Sequence, residues 1–255
     1  MTEPCEFVWY ELLTPDAGAA RAFYARVVGW GTIDTGMDTG YGLWTVGDSQ
    51  VGGLMGLTPE MKAMGTPPAW RGFISAPDVD DYARRVTAAG GAVHFGPMDI
   101  PGIGRFAAVS DPHGAGFLLF KGDGERPVPA PLGTPGHIGW RELMAGDGEE
   151  ALAFYSKLFG WREVEAHDMG PMGVYRLFGV GDVAMGGMMT KPAEAPGPVC
   201  WQYYFNVDDI DAAAERVKAA GGQVLRGPMP VPSGVWVLHA NDPQGVFFAL
   251  SGPKV

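Results

Sequence analysis

The run "FVWYELL" at residues 7–13 is apolar apart from Glu11 and leads into a turn, which predicts a strand. Asp16 then stands where it can cap a helix whose apolar stripe uses Ala20, Phe23, Tyr24 and Val27, with Gly29 to end it. The same sequence of signals recurs after "WRGFISA": Asp78 introduces a helix with Val79, Tyr82, Ala83 and Val86 inward, and Gly90-Gly91 closes it. In the second half, "IGWRELMAGD" at residues 138–147 repeats the opening. There Asp147, with Glu150 three residues on, reads as a capping box ahead of Leu152, Tyr155 and Leu158. Short apolar runs supply further strands: "YGLWTVG", "VGGLMGL", "RFAAVS" and "GFLLF", with counterparts "GVYRLFGV", "VAMGGMM", "VWVLHA" and "VFFAL". "DPHG" at 111–114 and "DPQG" at 242–245 place Asp, Pro and Gly for type I turns between the last two strands of each half. The repeating unit is β-α-β-β-β, present four times.

A register of 131 residues relates the halves: Trp9/Trp140, Glu11/Glu142, Asp16/Asp147, Gly29-Trp30/Gly160-Trp161, Gly96-Pro97-Met98/Gly227-Pro228-Met229 and Asp111-Pro112/Asp242-Pro243. It slips only between the first helix and the fifth strand, where Gly52-Gly53 matches Gly186-Gly187 at 134. "KGDGERPVPAPLGTPG" at 121–136 is too rich in Pro and Gly for an element interior. The expected organisation is a first module at 1–122, a linker at 123–135 and a second module at 136–255, each module of a size that can fold as a domain.

A hydrophobic fraction of 46% supports a folded core, and a net charge of −11 with no basic cluster argues against nucleic acid. Cys5 and Cys200 are the only cysteines and have no metal-binding spacing. The start "MTEPCEF" lacks the features of a signal peptide, and no apolar run is long enough to span a membrane. Cytoplasmic location is expected.

Strand, Asp, helix with "AFY", Gly-Trp and a closing strand-"DPxG"-strand together resemble the vicinal oxygen chelate superfamily, which holds glyoxalase I, bleomycin-resistance proteins and extradiol dioxygenases. The resemblance covers nearly the whole chain and implies an α+β fold: two tandem modules, each of two βαβββ units curled into an incomplete barrel around a cavity. In metal-dependent members it also implies a divalent ion, held by His, Glu or Gln on several strands. The corresponding positions here are Trp9 and Trp140 on the first strand, Arg71 and Gln202 on the fifth, and Leu118 and Ala249 on the last. No metal ligand set and no cofactor are expected from these residues.

Alternation puts Trp9, Glu11 and Leu13 on one face of the first strand, and Trp140, Glu142 and Met144 on one face of its twin. An inward carboxylate is either held by structural hydrogen bonds or contacts a ligand and works as a base. Glu11, Glu142 and His239 are the candidate catalytic residues. His137 faces away from Trp140. Trp9, Glu11, Arg71, Phe73, Trp140, Glu142, Gln202, Tyr204 and Trp236 are the candidate ligand contacts, with Ser75, Asn206, Trp44, Met55, Phe117, Tyr175, Met188 and Phe247 as further cavity positions or core. No nucleophile with a base, and no phosphate loop in "DTGYG", is recognisable. The leading expectation is a small apolar or aromatic molecule bound without metal. The alternatives are a lyase, isomerase or oxygenase with a rearranged, possibly metal-dependent, site, or a structural module without ligand. Fusion of two modules in one chain predicts a monomer with an internal pseudo-dimer, or a weak homo-oligomer.

Overall fold

The computed structural model describes residues 5–36, 40–124 and 128–255. The readings made on the first four residues, on the start of "DTGYG" and on 125–127 of the linker lie outside them. The first module runs β1 (Phe7–Thr14), α1 (Ala17–Val27), β2 (Gly31–Asp34), β3 (Gly42–Val46), β4 (Ser49–Gly56) and a short α2 (Pro59–Ala63). It continues with β5 (Ala69–Ser75), α3 (Val79–Ala88), β6 (Ala92–Ile100), β7 (Gly104–Ser110) and β8 (Gly116–Gly122). The second module repeats this as β9 (Ile138–Ala145), α4 (Gly148–Phe159), β10 (Arg162–Asp168), β11 (Val174–Val180) and β12 (Val183–Thr190), then β13 (Cys200–Asn206), α5 (Ile210–Ala219), β14 (Gln223–Pro230), β15 (Trp236–Asn241) and β16 (Phe247–Gly252). The strands of each module belong to one open, mixed sheet of eight. Every βαβββ unit contributes one four-stranded block to it, and in each block the first strand lies parallel to the last.

Four helices start as the sequence dictates. The side chains of Asp16, Asp78, Asp147 and Asp209 accept backbone N–H groups of the first turns of α1, α3, α4 and α5. On α1, Ala20, Phe23, Tyr24 and Val27 are all buried, as the periodicity requires. The expected capping box of α4 is only half made: Asp147 accepts from the N–H groups of Glu149 and Glu150, but the Glu150 carboxylate turns to His113 Nε2 at 2.8 Å. On the same helix Leu152 is only half-buried, and Phe154 and Phe159 complete the stripe. The two Asp-Pro turns form, and their aspartates do more than turn the chain. Asp111 Oδ1 accepts from the N–H groups of His113 and Ala115, and Asp242 Oδ1 from those of Gln244 and Val246.

The strands that the apolar runs did not announce, β2, β6, β10 and β14, are the outermost strand of each block. An edge strand pairs on one side only and need not bury a face, so its sequence lacks the alternation that marks a strand. β6 and β14 are largely exposed and carry Gly96-Pro97 and Gly227-Pro228, where the ladder shifts register.

Compact packing does not follow the repeat. One unit comprises the described residues of Met1–Val8, Gly72–Val128 and Trp140–Trp201, and the other Trp9–Arg71, Pro129–Gly139 and Gln202–Val255. Each therefore joins a half of one module to a half of the other. In the second unit Trp70 Nε1 donates to Tyr24 Oη at 2.9 Å, and Tyr24 Oη donates to Asp242 Oδ2 at 3.4 Å. Trp30, Trp44, Phe205 and Phe248 pack round that tyrosine. In the first unit the twin chain runs from Trp201 Nε1 to Tyr155 Oη at 3.0 Å and on to Asp111 Oδ2 at 3.4 Å. The Tyr of "AFY" and the Asp of "DPxG" are thus partners drawn from different modules.

Candidate functional site

On β1 the carboxylate of Glu11 lies at the centre of a four-residue cluster, all within one compact unit. Arg71 Nη2 of β5 makes an ion pair with Glu11 Oε1. Trp9 Nε1 donates to Tyr41 Oη at 3.1 Å, and the Tyr41 hydroxyl is itself hydrogen-bonded to Glu11. Burial, and then the negative charge of Glu11, push the Tyr41 phenol well above its ordinary pKa, so it stays a donor. The Glu11 side chain is 8% exposed and that of Arg71 23%, so the carboxylate is enclosed while the arginine is partly exposed. Among the described residues Arg71 Nε is buried without a hydrogen-bond partner.

The "GG" of β4 makes this cluster geometrically feasible. Gly53 is the register partner of Glu11, and a Cβ on it would collide with Tyr41 Oη. Tyr41 can lie across the strand to reach Trp9 and Glu11 only because that residue has no side chain. The second module builds the same frame: Trp140 Nε1 donates to Tyr175 Oη at 2.9 Å, and Tyr175 Oη to Glu142 Oε2 at 3.4 Å. Gly187 is the register partner of Glu142, and a Cβ there would strike Tyr175. The two clusters differ at one position, since Gln202 stands where the first module has Arg71.

His239 is held elsewhere, on β15. Its Nε2 lies 2.8 Å from Tyr204 Oη, and its ring meets Phe247 edge to face. Burial first, and the Arg226 charge second, pull its pKa down to about 4. The imidazole is neutral at physiological pH and is a weak base there. Because the folded pKa lies below the unfolded value of 6.5, the unfolded chain binds the extra proton between these limits, and the stability His239 allows at neutral pH is lost as pH falls from about 6.5 to about 4. His239→Gln should flatten the acid side of the stability profile by roughly 2–3 kcal/mol, measured by urea unfolding across that range.

The remaining positions divide between core and surface. Trp44 and Phe117, read as cavity candidates, are fully buried in aromatic clusters with Tyr24 and Tyr155, and Met188 is buried too. Phe73 is buried against Phe120. Trp236 sits an odd number of residues from His239 along a regular ladder, so it faces the other side of β15, with Lys254 Nζ 4.7 Å from its ring. Ser75 Oγ accepts from the N–H of Glu6, Asn206 Oδ1 accepts from Ser251 Oγ, and His137 Nδ1 lies 3.2 Å from the carbonyl of Pro135. Sequence reasoning missed Tyr41. Its spacing of 134 from Tyr175, which matches the slip of the glycine pairs, is the signal that would have found it.

The donor set does not fit a divalent ion. At the three positions where a metal-binding relative would carry ligands, the first module has an indole committed to Tyr41, a guanidinium and the buried Leu118. Its one central carboxylate is already neutralised by Arg71. The second module has Trp140, Gln202 and Ala249 there. Among the described residues no group of three or more His, Cys, Asp or Glu converges.

The family model described as Glyoxalase/Bleomycin resistance protein/Dioxygenase superfamily matches residues 6–119 and again 134–250. The chain is 34% identical to "Putative glyoxylase CFP32" of Mycobacterium bovis over 96% of this chain and 94% of that protein. It is 31% identical to "Anthracycline biosynthesis protein DauV" of Streptomyces sp. strain C5, over 95% and 91%. In fold it is similar to the Mn(II)-bound glyoxalase from Novosphingobium aromaticivorans, with a TM-score of 0.64 at 18% identity, covering 99% of this chain and 83% of that one. Two family matches in tandem, full-length relatives and the fourfold βαβββ topology agree: the chain belongs to the Glyoxalase/Bleomycin resistance protein/Dioxygenase superfamily.

Proposed function

We propose that the chain binds a small, planar, partly aromatic molecule at the Trp9–Tyr41–Glu11–Arg71 cluster, without a divalent metal. The observation that carries this is the Arg71–Glu11 pair, which sets a partly exposed guanidinium in the same cluster as the Trp9 indole, where metal-dependent relatives place their ligands. Arg71 uses one N–H on Glu11 and has others to offer an acceptor oxygen, while the Trp9 ring offers a flat apolar contact. A relative named for anthracycline biosynthesis supports a planar, oxygen-bearing aromatic as the ligand class. The protein works in the cytoplasm as a single chain on this reading; among the described residues the cysteines form no disulfide and no helix is long and apolar enough to cross a membrane.

The test is a fluorescence titration with anthraquinone-2-carboxylate before and after exhaustive dialysis against EDTA, together with elemental analysis. Binding should be the same in both samples and about tenfold weaker in Arg71→Gln, the residue the second module already accommodates. A stoichiometric divalent ion in the untreated protein, or binding restored only by adding one, would overturn the proposal.

A further inference from the structure

The repeat allows a direct comparison of the two blocks that close each module. In the first module, the row across β6, β7, β8 and β5 reads Phe95, Ala108, Leu118, Phe73, each residue the register partner of the next. The row at the same positions of the second module, across β14, β15, β16 and β13, reads Arg226, His239, Ala249, Tyr204. An apolar row has been replaced by a polar one on the same scaffold.

Geometry explains how the polar row holds together. Tyr204 and His239 are both partners of Ala249, on either side of it. A methyl group is small enough for the two rings to meet above it, at 2.8 Å between Tyr204 Oη and His239 Nε2. Leu118, at the equivalent place, would fill that space. Tyr204 is buried, His239 is half-buried and Arg226, one strand further on, is exposed; among the described residues Arg226 forms no ion pair.

We propose that Arg226, His239 and Tyr204 form a second ligand site, distinct from the Arg71 cluster, that takes an anionic oxygen on a small planar ligand such as a phenolate. Arg226 supplies the charge. Tyr204 is a positioning residue: by donating to Nε2 it holds the proton of the neutral imidazole on Nδ1, where it is a donor for the ligand oxygen. Phe247, edge-on to His239, gives the ring of the ligand an apolar neighbour. No proton is transferred and no bond is made in this proposal; the row binds.

The probe is 4-nitrophenolate, titrated at mildly alkaline pH and followed by its visible absorbance. The wild-type chain should bind it, and Arg226→Gln and His239→Ala should each weaken binding about tenfold or more, the loss of a charge-assisted hydrogen bond. Tyr204→Phe places in the second module the residue the first already carries there. It should weaken binding and, in nitrogen-15 spectra of the histidine rings, release His239 from a single tautomer, a change that a purely structural role would not produce. In an Arg71→Gln background, which removes the contribution of the other cluster, the losses caused by Arg226→Gln and His239→Ala should persist, which separates this site from the one proposed above. Absence of binding at millimolar probe, affinity unchanged in both Arg226→Gln and His239→Ala, or disappearance of their effect in the Arg71→Gln background would each overturn it.

Discussion

Arg71→Leu is expected to lower the unfolding free energy by about 2–4 kcal/mol, the cost of leaving the enclosed Glu11 carboxylate without its cation. The figure sits below that for a fully buried pair because the Arg71 side chain is 23% exposed, so solvent already shares its charge. The cost belongs to the orphaned charge and not to lost packing, which gives a sharp control. Adding Glu11→Gln to Arg71→Leu removes that charge and should recover most of the loss, so the double variant is more stable than Arg71→Leu alone. Arg71→Gln should lie between wild type and Arg71→Leu, because the second module keeps its Trp–Tyr–Glu frame with Gln202 at this place. Urea unfolding followed by tryptophan fluorescence measures these four proteins and Glu11→Gln alone, which closes the double-mutant cycle. Additive losses in the double variant would show that Glu11 and Arg71 act independently and would remove the basis for treating the pair as one handle.

Much of this was written in local pattern. The aspartate caps at Asp16, Asp78 and Asp147, the α1 stripe and both Asp-Pro turns depend on residues within a few positions of each other, and each formed as read. Glu11 facing inward followed from alternation alone. Its partner did not, because Arg71 is sixty positions away and nothing in either strand says which charge will meet which. Edge strands were invisible for the opposite reason: β2 and β10 bury little, so selection for a core left no periodic mark on them. Pairing of halves is the largest omission. Tyr24 and Tyr155 stand in the same motif, and Asp111 and Asp242 stand in the same turn, so the sequence is equally compatible with each tyrosine meeting the aspartate of its own module. The structure has Tyr24 on Asp242 and Tyr155 on Asp111. Duplication hides the choice precisely where it matters for which residues share a core.

That choice makes the second large effect diagnostic. Trp161 is 1% exposed, donates from Nε1 to the Cys5 carbonyl at 2.6 Å, and stacks on Tyr155 at 5.3 Å and Phe178 at 4.7 Å. Trp161→Ala should cost about 3–5 kcal/mol, the range for removing a large buried ring that its surroundings cannot refill. Trp161→Phe keeps a ring but leaves the carbonyl unpaired, and should cost about 1–3 kcal/mol. Where the damage appears decides more than its size. Trp161 belongs to the second module by sequence, yet the compact unit that contains it also holds β7 and β8 of the first. Hydrogen exchange in Trp161→Ala should therefore show lost protection at Val109 and Leu119 of the first module as well as at Leu143, while Leu250, in the other unit, keeps more of its own. Loss spread evenly through residues 136–255, with Val109 and Leu119 untouched, would mean that each module stands on its own core and that the exchanged halves contribute little to its stability.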